Sequence, residues 1–192
     1  AEPAVTLLDE TTTADGGDSP GADVVVHLGA GDHDTMARRR QNVTTGVVDA
    51  LEVADTAAAG HVVIVSSAMV YGAWPNNPVP LTEEALIRPA TEFVYARQLA
   101  TAEALVDRWR LADRQRTVTV LRPVVTMAAN GTSQLAAALA AGLGQRFGED
   151  DPPAQFLHLD DLVAAVVLAV VDRLDGVFNV APDGWVAGER VR

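Results

Sequence analysis

The stretch HVVIVSSAMVYG (His61–Gly72), followed about twenty residues later by FVYARQLATAEALVDRW (Phe93–Trp109), decides how this chain is read. HVVIV is apolar without alternation and rich in β-branched side chains, as a strand reads when both faces are buried. Three further runs share that character: AVTLL (Ala4–Leu8), DVVVHLG (Asp23–Gly29) and TVTVLRP (Thr117–Pro123). In the second half of the opening stretch, Val94, Leu99, Ala102, Leu105, Val106 and Trp109 fall on one helical stripe. Helices are also expected across Met36–Ala58, Ser133–Leu143 and Leu159–Val171. Strand alternating with helix predicts an α/β domain with a parallel sheet. TTTADGGDSPG (Thr11–Gly21) and GEDDPP (Gly148–Pro153) read as polar connectors, and no domain boundary interrupts the pattern.

Composition narrows the function classes. The chain of 192 residues is 48% hydrophobic and 21% charged, which is globular rather than disordered. No apolar run approaches the roughly 18–20 residues of a membrane span, and AEPAVTLLDE has no signal-peptide character. A net charge of -12 argues against a nucleic-acid surface, which needs a basic face. RRR (Arg38–Arg40) reads as a solvated helix face. With no cysteine, disulfides, thiolate metal sites and thiol nucleophiles are excluded. Taken together these features predict a cytoplasmic protein. The histidines at 27, 33 and 61 show no metal-ligand spacing and read as packing residues. Glu83–Glu84 and Asp150–Asp151 read as solvated loop charge. Asn42 and Asn130 fit a glycosylation pattern that coincidence explains in a chain of this kind. Every basic side chain is an arginine, apart from the histidines, since the chain contains no lysine.

In an open parallel sheet, ligands sit beyond the carboxyl ends of the strands. Asp9, Gly29–Ala30, Ser66–Ser67 and Arg122–Val125 are the candidates by position. A serine closing a strand and a tyrosine opening the next helix can converge on one alcohol or carbonyl and relay a proton. Each also has an ordinary reading, as turn cap and as packing residue.

The order of DVVVHLGA, NVTTGVVDALEVADTAAAGHVVIVSSAMVYG, PLTEEALIRPATEFVYARQLATAEALV, VTVLRPV, FLHLDDLVAAVVLAV and GVFNVAPDG resembles the extended short-chain dehydrogenase/reductase family. The nearest branch is the NAD-dependent sugar epimerases and dehydratases. The resemblance implies a Rossmann-like, doubly wound parallel sheet forming one NAD(P)-binding domain over residues 1–192. It implies Ser67 as the hydroxyl that binds the reacting oxygen and Tyr95 as the acid/base. Gly29, Ala30, Asn42, Ser66, Arg122, Pro123 and Val124 would line NAD or NADP. It further implies a nucleotide-sugar-like substrate and a homodimer through the helix at 93–112. His158, Asp160 and Asp161 match a motif that reads best as a helix cap. Trp74 falls in the loop that closes over substrate in such proteins, although hydrophobic anchoring explains it as well.

Two departures stand against this pattern. Four residues after the tyrosine, where the family carries a lysine, the chain has Leu99. A lysine there lies on the tyrosine's face of the helix, and its charge brings a phenol that ordinarily titrates at about 10 toward working pH. Arg97 points around the helix and Gln98 brings no charge. The family's opening strand, GxxGxxG turn and helix are also unmatched, Gly29-Ala30-Gly31 being the only compact glycine-rich turn. The sheet is thus expected to lack its first strand-turn-helix unit, as in a piece of a longer chain. Three readings remain open: an NAD(P)-dependent enzyme, a non-catalytic binder of a dinucleotide or sugar nucleotide, and a scaffold domain.

Overall fold

Strands β1 (Val24–His27), β2 (His61–Val65), β3 (Thr117–Pro123) and β6 (Gly176–Val180) form one parallel sheet in the order β1-β2-β3-β6. The computed structural model describes residues 21–29, 36–128 and 154–186, with backbone alone for 36–42. The expected strand Ala4–Leu8, the expected helix Ser133–Leu143, most of the Thr11–Gly21 loop and the Gly148–Pro153 connector lie outside them. So do Ala30, His33, Asn130 and the side chain of Asn42.

The unalternating strands have their explanation in the two cores. Successive strand residues point to opposite faces. Val25, Val62, Ile64, Val118 and Val120 pack on one side with Val43, Val47, Leu99, Val106 and Trp109. Val24, Val63 and Leu121 pack on the other with Ala169 and Val170. The first side is covered by α1 (Met36–Thr56) and α2 (Val94–Ala112), which lie against each other, and the second by α3 (Leu159–Val171). This is a Rossmann-like arrangement wound on both faces. α1 and α2 are joined where Asp55 accepts from Trp109 Nε1 at 2.7 Å and from Arg116 Nη2 at 2.8 Å. The Arg116 guanidinium also stacks 4.3 Å from the Trp109 ring.

Helix and strand bounds follow the sequence expectation closely, α1 stopping two residues early and β2 ending before Ser66. The small parallel pair β4 (Val125–Met127) and β5 (Phe156–His158) has no counterpart in that reading. His158 caps α3, its Nδ1 accepting from the Asp160 N–H at 3.2 Å, with Asp160 and Asp161 in the first turn. Among the described residues no helix is long and apolar enough to cross a membrane.

His61 opens β2 with no solvent exposure. Thr119 Oγ1 donates to the Leu174 carbonyl at 2.5 Å, so the same oxygen accepts from His61 Nε2, 2.9 Å away. The ring is therefore neutral with its proton on Nε2, and buried Nδ1 has no partner among the described residues. Burial, reinforced by Arg173, lowers the His61 pKa from its ordinary value, against weaker opposing effects from Leu174 and Asp175. The unfolded chain then binds this proton more readily than the folded one. Stability is fully present above the unfolded pKa of about 6.5 and falls as pH drops below it, by at most about 1.4 kcal/mol per pH unit. Denaturant midpoints at pH 7.5 and 5.5 should separate less in His61→Phe than in the parent. Equal separations would remove His61 from the acid response.

Candidate functional site

At the carboxyl edge of the sheet the chain leaves β2 through Ser66 and Ser67 into a 3₁₀ turn, Ala68–Tyr71. Ser67 caps it, its hydroxyl oxygen accepting from the Met69 N–H at 3.2 Å. The ordinary cap reading is therefore correct for Ser67, and it does not exclude the other. A hydroxyl that accepts through a lone pair still has its proton to donate. The turn packs against α2, whose first turn carries Tyr95, half-buried against the same core. Gly72 ends the turn at φ +68, and a Cβ there would stand 2.4 Å from the Arg88 carbonyl, so only glycine fits. The loop beyond is tied by Trp74 Nε1 donating to that carbonyl at 2.6 Å, with the Arg88 guanidinium 5.9 Å from the indole. Trp74 is thus anchored by its polar end.

Beneath this surface lies a buried polar chain that the sequence reading missed. Ser66 Oγ donates to Glu103 Oε1 at 2.5 Å. Arg122 meets the same carboxylate through Nε and Nη2, at 2.7 Å for the closer bond, and both side chains are about 5% exposed, at 4% and 6%. Arg122 Nη1 donates to Tyr71 Oη at 2.7 Å and to the Glu83 carbonyl at 3.2 Å. Tyr71 Oη in turn donates to Asn179 Oδ1 at 2.7 Å. Asn179, level with Arg122 across β3 and β6, gives its backbone N–H to Glu83 Oε1 at 2.7 Å. Burial alone presses the Arg122 guanidinium toward neutrality; its bonds to Glu103 and Tyr71 outweigh that and hold its pKa above the ordinary arginine value. Glu83, read as solvated charge, is exposed as expected and in addition holds β6 through its bond to the Asn179 N–H. A signal was available in the sequence: Glu103 on an apolar helical stripe and Arg122 in a buried strand each need a partner of opposite charge.

The other expected cofactor residues separate as follows. Gly29 follows β1 at φ +82, a backbone position suited to glycine. Pro123 ends β3, buried, and Val124 donates its N–H to the Val180 carbonyl at 3.0 Å. The Ser66 and Arg122 side chains point into the network rather than toward solvent. Leu99 is 4% exposed and lines, with Gly29, Val47, Ile64, Ser66 and Ala102, an apolar hollow of about 10 Å³, room for at most one water.

These features can be set beside known proteins. Residues 4–181 match the NAD dependent epimerase/dehydratase family. The chain belongs to that family. Among solved structures, a UDP-N-acetylglucosamine 4-epimerase from Methanobrevibacter ruminantium, bound to UDP-N-acetylmuramic acid, superposes with a TM-score of 0.72 at 21% identity. The match covers 90% of this chain and 59% of that one. RMD from Pseudomonas aeruginosa, bound to NADPH, gives 0.68 at 23% identity over 88% of this chain and 64% of its own. A dTDP-glucose 4,6-dehydratase from Bacillus anthracis, bound to NAD, gives 0.69 at 18% identity over 88% and 54%. At these identities the likeness establishes the shared fold, and this epimerase/dehydratase-family chain spans about three fifths of such structures. No protein of curated function matches it.

The edge fits a nicotinamide dinucleotide in part. Gly29 offers backbone without a side chain at the end of β1, and Ser67 and Tyr95 stand on adjoining elements. Where the family's lysine would meet the ribose, the buried Leu99 offers no hydrogen bond.

Proposed function

We propose that this protein is an NAD(P)-dependent enzyme of epimerase, dehydratase or reductase type, acting on a hydroxyl or carbonyl of a nucleotide sugar. The observation that carries this reading is the pairing of Ser67 and Tyr95 on two elements packed together at the sheet's carboxyl edge, in a chain of this family. Ser67 gives its proton as a hydrogen bond to the substrate oxygen, and the Tyr95 phenol moves a proton to or from it. Gly29, Pro123 and Val124, together with Ala30 and Asn42, would hold the cofactor. Bound there, the nicotinamide supplies or accepts hydride. Relatives that carry UDP-sugar ligands, NAD or NADPH support the substrate and cofactor classes. Pairing of two copies through α2, the helix at 93–112, belongs to the same proposal, and sedimentation tests it.

Calorimetric titration of the protein with NAD and with NADP is the test. Micromolar binding of either, about -8 kcal/mol, supports the reading. No binding of either to folded protein overturns it.

The second reading, a non-catalytic binder, is favoured by Leu99. Leu99→Lys is expected to destabilise the ligand-free protein by about 1–3 kcal/mol, because an ammonium enters an apolar hollow. Thermal unfolding with and without NAD measures this. NAD binding tighter than in the parent marks an enzyme site that lost its lysine; unchanged binding favours the non-catalytic reading.

A further inference from the structure

We propose that the Glu103–Arg122 pair is a positioning device, setting where the Tyr95 phenol stands relative to the Ser67 hydroxyl. The inference rests on the proposed function only in naming those two hydroxyls as the reacting groups. Its geometry belongs to the protein itself.

Stability alone does not explain the pair. A buried salt bridge loses in desolvation much of what it gains in attraction, and apolar residues of similar volume often serve as well. What the pair supplies instead is direction. Arg122 engages Glu103 through two of its nitrogens and Tyr71 through the third, and a planar guanidinium permits such an arrangement in one orientation.

The connectivity brackets Ser67 on both sides. Ser66, the residue before it, donates to Glu103. Tyr71, the last residue of the turn that Ser67 caps, accepts from Arg122. Glu103 itself lies on α2, two turns beyond Tyr95, about 12 Å along the axis at 1.5 Å per residue. One carboxylate therefore joins the strand end before Ser67 to the helix that carries Tyr95. At the N-terminus of α2, Phe93 makes no side-chain capping bond, and Tyr95 packs on the core beside the network. The Glu103 carboxylate thus ties α2 to the ends of β2 and β3 by its interior face. Tyr71, Asn179 and Glu83 extend the same fixation to β6 and to the loop at Leu81–Glu83.

The chain has two tyrosines, Tyr71 and Tyr95. Uniform labelling with 3-fluorotyrosine therefore yields two fluorine signals, assigned with Tyr95→Phe, in protein free of cofactor and substrate. Glu103→Gln keeps the shape of the side chain and removes its charge. Glu103→Leu combined with Arg122→Met removes both charges together and is expected to fold. In both variants the Tyr95 signal should shift or broaden by more than its linewidth, although the changed side chains lie two turns and more away. Val106→Ala, a packing change on the same helix that removes none of the network's hydrogen bonds, should leave it in place. A Tyr95 signal unmoved in Glu103→Gln, or moved as far by Val106→Ala, overturns the proposal. Failure to bind NAD or NADP would overturn the proposed function and leave this result unaffected, because no ligand enters the measurement.

Discussion

Tyr95→Phe is expected to lower turnover by about 10²–10⁴-fold, the usual contribution of a positioned proton donor or acceptor, while leaving NAD(P) affinity close to that of the parent. The substitution removes one oxygen and keeps the ring, so the packing of Tyr95 against the α1–α2 core is preserved. Binding should be little changed, because the proposed cofactor contacts come from the end of β1, from α1 and from the end of β3. Initial rates and calorimetry on the same preparations separate the two effects. Ser67→Ala should fall in the same direction by less, because it loses a hydrogen bond to the substrate oxygen and not the group that transfers the proton; it also loses the cap on Met69 N–H. Equal turnover in Tyr95→Phe and parent would remove Tyr95 from the mechanism.

Arg122→Ala is expected to cost about 3–5 kcal/mol, the usual penalty for leaving one partner of a buried ion pair uncompensated. Glu103 would keep the Ser66 hydroxyl as its remaining hydrogen-bond donor among those described, and the Tyr71 oxygen would lose its donor. For a chain of this length, such a loss lowers the melting temperature by roughly 6–20 °C. The paired replacement Glu103→Leu with Arg122→Met should cost far less than Arg122→Ala. That contrast is decisive, because the penalty comes from the orphaned charge rather than from the worth of the pair. A cost under about 1 kcal/mol for Arg122→Ala would mean that water reaches Glu103 and that the network is not closed.

Much of the site's position was legible in the chain, and less of its wiring. That Ser67 and Tyr95 belong to one edge follows from a strand run ending at one and a helical stripe beginning at the other. The cap role of His158 was legible as well, because its partner, the Asp160 N–H, is two residues away. Glu83 was not. Its carboxylate takes the N–H of a residue 96 positions later, and local composition resembles any solvated loop. The side-chain direction of Arg122 was equally hidden, since a family motif places the residue in the chain without saying where the guanidinium points.

Periodicity and residue type by themselves determined a parallel sheet buried on both faces, the helices covering it and the edge where chemistry would gather. These are consequences of near-neighbour spacing, fixed at two residues per strand repeat and 3.6 per helical turn. The burial of Leu99 was legible in its apolar stripe; the tertiary structure alone decided that Ser66, Tyr71, Glu103, Arg122 and Asn179 form one polar chain. Tyr71 meets Asn179 across 108 residues, and Glu103 meets Arg122 only because α2 lies over the ends of β2 and β3. Such pairings depend on strand register and helix rotation, which the packing of the whole sheet sets.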